Sequence, residues 1–168
     1  MIPAVSLIGH SDSGKTRLIA QLVPALVARG LRVGTVKHSP DLEHVDRPGS
    51  DTAIHFDAGA GRVLLRGRSA SALFWRQGPS TLDGEIDRLF ADCDLVIVEG
   101  WKHGPYPKIE VFRRGADLGR QPLAGEIDVS AVVTDDRVAL PDDLPVYRAT
   151  EIERVADAVE SLAFEGSL

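Results

Sequence analysis

Residues 9–16, GHSDSGKT, place glycines at the first and sixth positions of a stretch that ends Gly14-Lys15-Thr16. Gly9 and Gly14 free the backbone to curl, so that the amides of His10, Ser11, Asp12, Ser13 and the following turn through Arg17 converge on phosphate oxygens at a helix amino terminus. Lys15 neutralises phosphate charge and the Thr16 hydroxyl reaches Mg²⁺, the division of labour in a phosphate loop, or P-loop. The stretch follows an apolar run, AVSLIG, and precedes an amphipathic one, which is the strand-turn-helix context that the motif requires.

A triphosphate site needs a carboxylate for its metal. The run DLVIVEG offers Asp94 and Glu99, which five strand residues separate by roughly 16 Å, so both cannot serve one ion. If this strand lies parallel to the first, its carboxyl end sits beside the phosphate loop, which selects Glu99 and leaves Asp94 as a solvated strand start. The same geometry brings Lys37 and His38, at the end of the second strand, toward the outermost phosphate. There Lys37 either supplies charge to phosphate or stands as a solvated loop cation, and His38 orients water or makes an ordinary loop hydrogen bond. Lys15, Glu99 and His38 are thus the candidates for a part in catalysis. In the next loop, HVDRPGSD, Asp46 or Asp51 is placed to complete a Mg²⁺ shell, whereas His38, His44 and Asp46 lack the tight spacing of a transition-metal site. Trp101, with Lys102 and Lys108 in EGWKHGPYPKIEV, either offers a flat anion an aromatic face or packs beneath its own loop. At the end of SAVVTDD, Asp135 or Asp136 can accept hydrogen bonds from a base; the full Asn-Lys-x-Asp guanine signature is absent, so these residues do not separate guanine from adenine.

The elements that must hold these groups read as one domain over residues 1–168. Strands are expected at 4–9 and 31–39, joined through a helix whose stripe is Leu18, Ile19, Leu22, Val23, Leu26 and Val27 and which Pro24 should bend. A short helix ends near Gly59, and RVLLR and ALFWRQ form a hairpin. A helix with Leu82, Ile86, Leu89 and Phe90 on one face precedes the DLVIVEG strand. KIEVFR, SAVVTDD and LPVYRA supply further strands, and Thr150 to Glu153 form a capping box for a last helix. The predicted architecture is α/β: a three-layer, P-loop NTPase-like fold with a mostly parallel sheet and an added hairpin.

Bulk properties narrow the partners. A net charge of −6 argues against nucleic acid and anionic membranes, and no apolar run reaches the ~20 residues of a membrane span. The single cysteine, Cys93, permits no internal disulfide and is expected to be a buried, inert thiol. With no basic, apolar leader at the amino end, the expected location is the cytoplasm.

Taken in order, GHSDSGKT, RGLRVGTVKHS, DRPGSDT, DLVIVEGWKHGPYPKIEVFR and AVVTDD resemble the MobB family of molybdopterin-guanine dinucleotide biosynthesis adaptor proteins, over about residues 4 to 150. The resemblance implies a homodimeric GTP-binding protein with weak, Mg²⁺-dependent GTPase activity. It implies a partner, a MobA-type guanylyltransferase that joins GMP to molybdopterin, with molybdopterin itself as a further candidate ligand. It assigns Gly14, Lys15 and Thr16 to GTP-Mg²⁺, Glu99 to the metal site and Asp135 to the base. His10 and Asp12 depart from many relatives, and Asp12 places a negative charge beside the phosphates. A small-molecule kinase or ATP-dependent ligase, and a non-hydrolysing nucleotide-binding module, are the competing functions on the same loop.

Overall fold

The structure is a computed structural model that describes residues 1–40, 46–76, 78, 81–115 and 119–164. The chain separates into two compact units, residues 1–38 with 85–168, and residues 39–84.

The larger unit is built on a six-stranded parallel sheet. Its strands are β1 (Ala4–Ile8), β2 (Val33–Lys37), β5 (Leu95–Glu99), β6 (Lys108–Val111), β7 (Ala131–Val133) and β8 (Val146–Tyr147), in the spatial order β2-β5-β1-β6-β7-β8. The central strands β1 and β5 are almost continuously apolar because both faces are covered. On one face, Val5, Leu7, Leu95, Ile97, Ile109 and Val133 pack under α1 (Lys15–Ala28) and α4 (Ile152–Phe164). The opposite face packs Ile8 and Val132 against Phe112, Val129 and Leu123, the last opening a 3-10 turn at Leu123–Gly125. The first two strands are parallel, as expected, but β5 lies between them.

Helix α1 continues through Pro24 and buries Leu18, Leu22 and Leu26, with Ile19 and Val23 partly covered. Val27, read as part of that stripe, is 52% exposed. In α3 (Leu82–Leu89), Ile86 is buried but Leu89, at the helix end, is exposed. The expected capping box at α4 is displaced. Glu151 reaches back to accept the Arg148 N–H at 2.8 Å, and the Glu151 carbonyl accepts from the Val155 N–H. Glu153 instead joins Asp157 and Glu160 around the Arg29 guanidinium, tying α4 to the end of α1. Cys93 is half-buried, and burial pushes its thiol pKa up, in keeping with an inert role.

The smaller unit holds α2 (Asp51–Asp57) and an antiparallel hairpin of β3 (Arg62–Arg66) and β4 (Ser71–Trp75). Ser50 caps α2 by accepting the Ala53 N–H, and Gly59 follows the helix with a φ of 105°. The fold is therefore α/β, with a parallel sheet and a separate small hairpin.

Candidate functional site

Strand β1 ends in Gly9, whose φ of 147° suits glycine. A Cβ there would lie 2.3 Å from the Val111 carbonyl oxygen, so the chain leaves the sheet through a gap that only glycine fits. Asp12 takes up a left-handed backbone at φ 59°, and Gly14, at φ 98°, sits immediately before α1. No side chain caps α1 and its first turn carries no acidic residue, leaving the amides at this helix start to face whatever the loop encloses. The Lys15 ammonium folds back into the loop, donating to the carbonyls of His10 at 2.6 Å and Gly9 at 3.2 Å and to Ser13 Oγ at 3.5 Å. Burial holds the Lys15 pKa below the ordinary lysine value; Glu99 and Asp12 oppose that shift while Lys102 and Lys37 reinforce it.

The register of the sheet explains the carboxylate. Glu99 pairs with Leu7 on β1 and with Lys37 on β2, and it shares the face of Leu95 and Ile97 that packs under α1. Its side chain consequently meets the start of that helix: Thr16 Oγ1 donates to Glu99 Oε1 at 3.0 Å, with Lys37 Nζ 3.8 Å from the same oxygen. Asp94 lies at the other end of the strand and is not simply solvated. Arg32 grips it with its guanidinium and its backbone N–H, and that grip draws the Asp94 carboxyl down to about 2.

His38 continues β2 and donates its N–H to the Glu99 carbonyl at 2.9 Å. Its ring stacks on Trp101, with centroids 5.7 Å apart and planes at 25°. Trp101, held at φ 59°, also meets Tyr106 edge-on, and Gly104 makes room for the indole. The ring is half-buried between the two, so the packed reading describes its environment. The two neighbouring lysines go separate ways. The Lys102 charge is felt at Lys15, whereas Lys108 donates to the Tyr106 carbonyl.

Beyond the carboxyl end of β7 lies a cavity of about 650 Å³ lined by Arg114, Thr134, Asp136, Arg137, Val138 and further residues up to Val146. Asp136 accepts the Arg114 N–H there at 2.7 Å, while Asp135 is exposed and does not line the cavity. In the smaller unit, Asp46 is engaged locally: it accepts from the hydroxyls of Thr52 and Ser50 and from the Arg47 N–H, which together lower its pKa. Asp51 is exposed as the first residue of α2, and His44 lies outside the described residues.

Two features were missed from the residues alone. Glu110, in the middle of β6, is fully buried and accepts the N–H groups of Leu123 and Ala124 at 2.7 and 2.9 Å. A carboxylate flanked directly by Ile109 and Val111 was the available signal. The second is the stretch from Arg120, which donates to the Ser11 carbonyl at 3.1 Å, while His10 Nε2 donates to the Gln121 carbonyl at 2.9 Å. Nothing local in the sequence announces that contact.

The family model described as molybdopterin guanine dinucleotide synthesis protein B, MobB, matches residues 4–135, a span containing the glycine-led loop of residues 9–16, Lys37, His38, Glu99, Trp101 and Asp135. This chain belongs to the MobB family. It is similar to the molybdopterin-guanine dinucleotide biosynthesis adapter protein of Escherichia coli K12, with 36% identity over 167 residues covering 95% of this chain and 92% of that protein. The protein of that name from Haemophilus influenzae is 34% identical over 164 residues, covering 95% and 89%. A crystal structure of molybdopterin-guanine biosynthesis protein B superimposes with a TM-score of 0.72 at 31% identity, covering 95% of this chain and 99% of that one. The parallel sheet and the glycine-led loop above are thus the MobB framework.

Proposed function

We propose that this MobB-family chain is an adaptor in molybdopterin-guanine dinucleotide biosynthesis that binds GTP with Mg²⁺ in the phosphate loop and hydrolyses it slowly. The observation that carries the reading is the contact between Thr16 and Glu99, which joins the helix after the loop to the end of the neighbouring strand. A hydroxyl and a carboxylate are hard oxygen donors that fit Mg²⁺, whose remaining positions are ordinarily filled by phosphate and water. Such a site needs no cluster of acidic residues, and among the described residues no group of three His, Cys, Asp or Glu side chains stands together.

In this reading the amides of residues 10–17 and the Lys15 ammonium hold the phosphates. Thr16 and Glu99 hold the metal, which when bound neutralises charge developing on the phosphate oxygens. Lys37, 3.8 Å from Glu99, keeps that carboxylate oriented and adds positive charge beside it. The cavity past β7, which Asp136 lines, takes the base, and Asp135 is the residue before it in the chain. Transfer of phosphate to a small molecule would require a general base near the loop; His38, stacked on Trp101 at the end of β2, is the candidate for that competing kinase or ligase reading. A MobA-type guanylyltransferase is the partner enzyme, molybdopterin a further candidate ligand, and a homodimer in the cytoplasm the working form.

Incubation with γ-labelled GTP and ATP, with and without Mg²⁺, tests this function. Slow Mg²⁺-dependent release of phosphate from GTP in preference to ATP is expected. Retention of nucleotide without release would reduce the protein to a binding module, and absence of binding would remove the nucleotide role.

A further inference from the structure

The phosphate loop is overlaid by a second segment of the same chain. Glu110, rising from the sheet, fixes Leu123 and Ala124 through their N–H groups. The residues just before them run against the loop and are tied to it twice, by Arg120 Nη1 on the Ser11 carbonyl and by His10 Nε2 on the Gln121 carbonyl. His10 lies inside the loop, and this bond gives its ring a partner outside it. Asp12 follows Ser11, the residue Arg120 contacts, and adds negative charge where a triphosphate would already be anionic.

Arg120 spends one N–H on Ser11, and its other guanidinium groups have no partner among the described residues. An arginine in that position offers several donors in a fixed plane, suited to phosphoryl oxygens. We propose that Arg120 is a catalytic residue of the GTP site, an arginine supplied by the chain to its own phosphate loop. It acts by stabilising negative charge on the phosphoryl group in transfer and by offsetting Asp12. In the step it assists, a water oxygen bonds to the γ-phosphorus and the bond from that phosphorus to the β–γ bridging oxygen breaks. The electron pair stays on the β-phosphate, giving GDP, inorganic phosphate and a released proton. This inference rests on the GTP-binding reading above.

The test uses the full chain with Arg120→Gln, which keeps an N–H donor on a shorter side chain and loses the charge, and Arg120→Ala, each checked for folding by circular dichroism. GDP affinity, affinity for GDP with aluminium fluoride, and kcat and KM for GTP are measured with Mg²⁺. The expected result is GDP affinity and KM within about threefold of wild type, with kcat lowered at least ~30-fold and binding of the aluminium fluoride complex weakened to match. A segment that only braces the loop predicts otherwise: GDP, GTP and the fluoride complex weakened together, and equally by His10→Ala. That result, or an unchanged kcat in Arg120→Gln, overturns the assignment of Arg120 and leaves the nucleotide site standing. Wild-type protein that binds neither GDP nor GTP overturns both.

Discussion

Thr16 and Glu99 are 83 residues apart in the chain and 3.0 Å apart between hydroxyl and carboxylate oxygens. The separation is closed by parallel pairing: β1 and β5 run side by side, so the end of one and the turn after the other open at the same edge of the sheet. Asp94 immediately precedes the same strand and lies at its opposite, amino end, where Arg32 holds it.

Glu99→Gln should therefore separate catalysis from binding. On the proposed reading, loss of the carboxylate charge weakens Mg²⁺ binding while the loop amides and Lys15 remain, so Mg²⁺-dependent GTP hydrolysis should fall ~50-fold with nucleotide affinity changed less than about threefold. Asp94→Asn should leave both unchanged. A larger kinetic defect in Asp94→Asn than in Glu99→Gln would contradict the assignment of the metal carboxylate.

Asp94 has its own signature in stability. Its hydrogen bonds with Arg32 lower its folded-state pKa from an ordinary 3.8 to about 2. A depressed carboxylate binds its proton more readily in the unfolded chain, so its contribution is complete above pH ~4 and is lost as pH falls toward 2. Denaturation of wild type and Asp94→Asn should therefore differ at pH 6 and converge between pH 4 and pH 2. A difference that persists unchanged at pH 2 would place the effect elsewhere.

Much of the site can be read from the sequence because its first part is local. The glycines, lysine and threonine of GHSDSGKT are contiguous, and the apolar runs on either side identify their strand and helix. Glu99 is legible through one further inference, that a continuously apolar strand is covered on both faces and runs parallel to its neighbours. Asp46 has local partners that residue type alone does not reveal: its oxygens accept from Ser50, Thr52 and Arg47. Glu110 and Arg120 are hidden for the opposite reason, since their partners are more than ten and more than a hundred residues distant.

The two glycines of the loop should differ in tolerance. Gly9→Ala meets both an unfavourable φ and the Val111 carbonyl, whereas Gly14→Ala meets the φ alone, with no atom within 4 Å of the added Cβ. Urea denaturation should show Gly9→Ala destabilised by ~2 kcal/mol or more. Gly14→Ala should lose only about 1 kcal/mol. The reverse order would contradict the close approach of Gly9 to β6.

Glu110→Ala should be among the more damaging substitutions of the larger unit. It strips the partner from two N–H groups, one of them in the buried core, and leaves a void, at a cost of ~3 kcal/mol or more. Chemical denaturation measures this directly, and a loss below about 1 kcal/mol would mean that the 3-10 turn holds its place without the carboxylate.

Lys15→Ala, titrated with GTP and Mg²⁺ by calorimetry, examines the loop itself. The Lys15 ammonium rests on loop carbonyls, so its removal should leave the fold intact by circular dichroism. GTP affinity should fall at least ~30-fold, about the 2 kcal/mol that one charge-assisted contact supplies. A folded Lys15→Ala protein that binds GTP as tightly as wild type would contradict the phosphate loop as the nucleotide site.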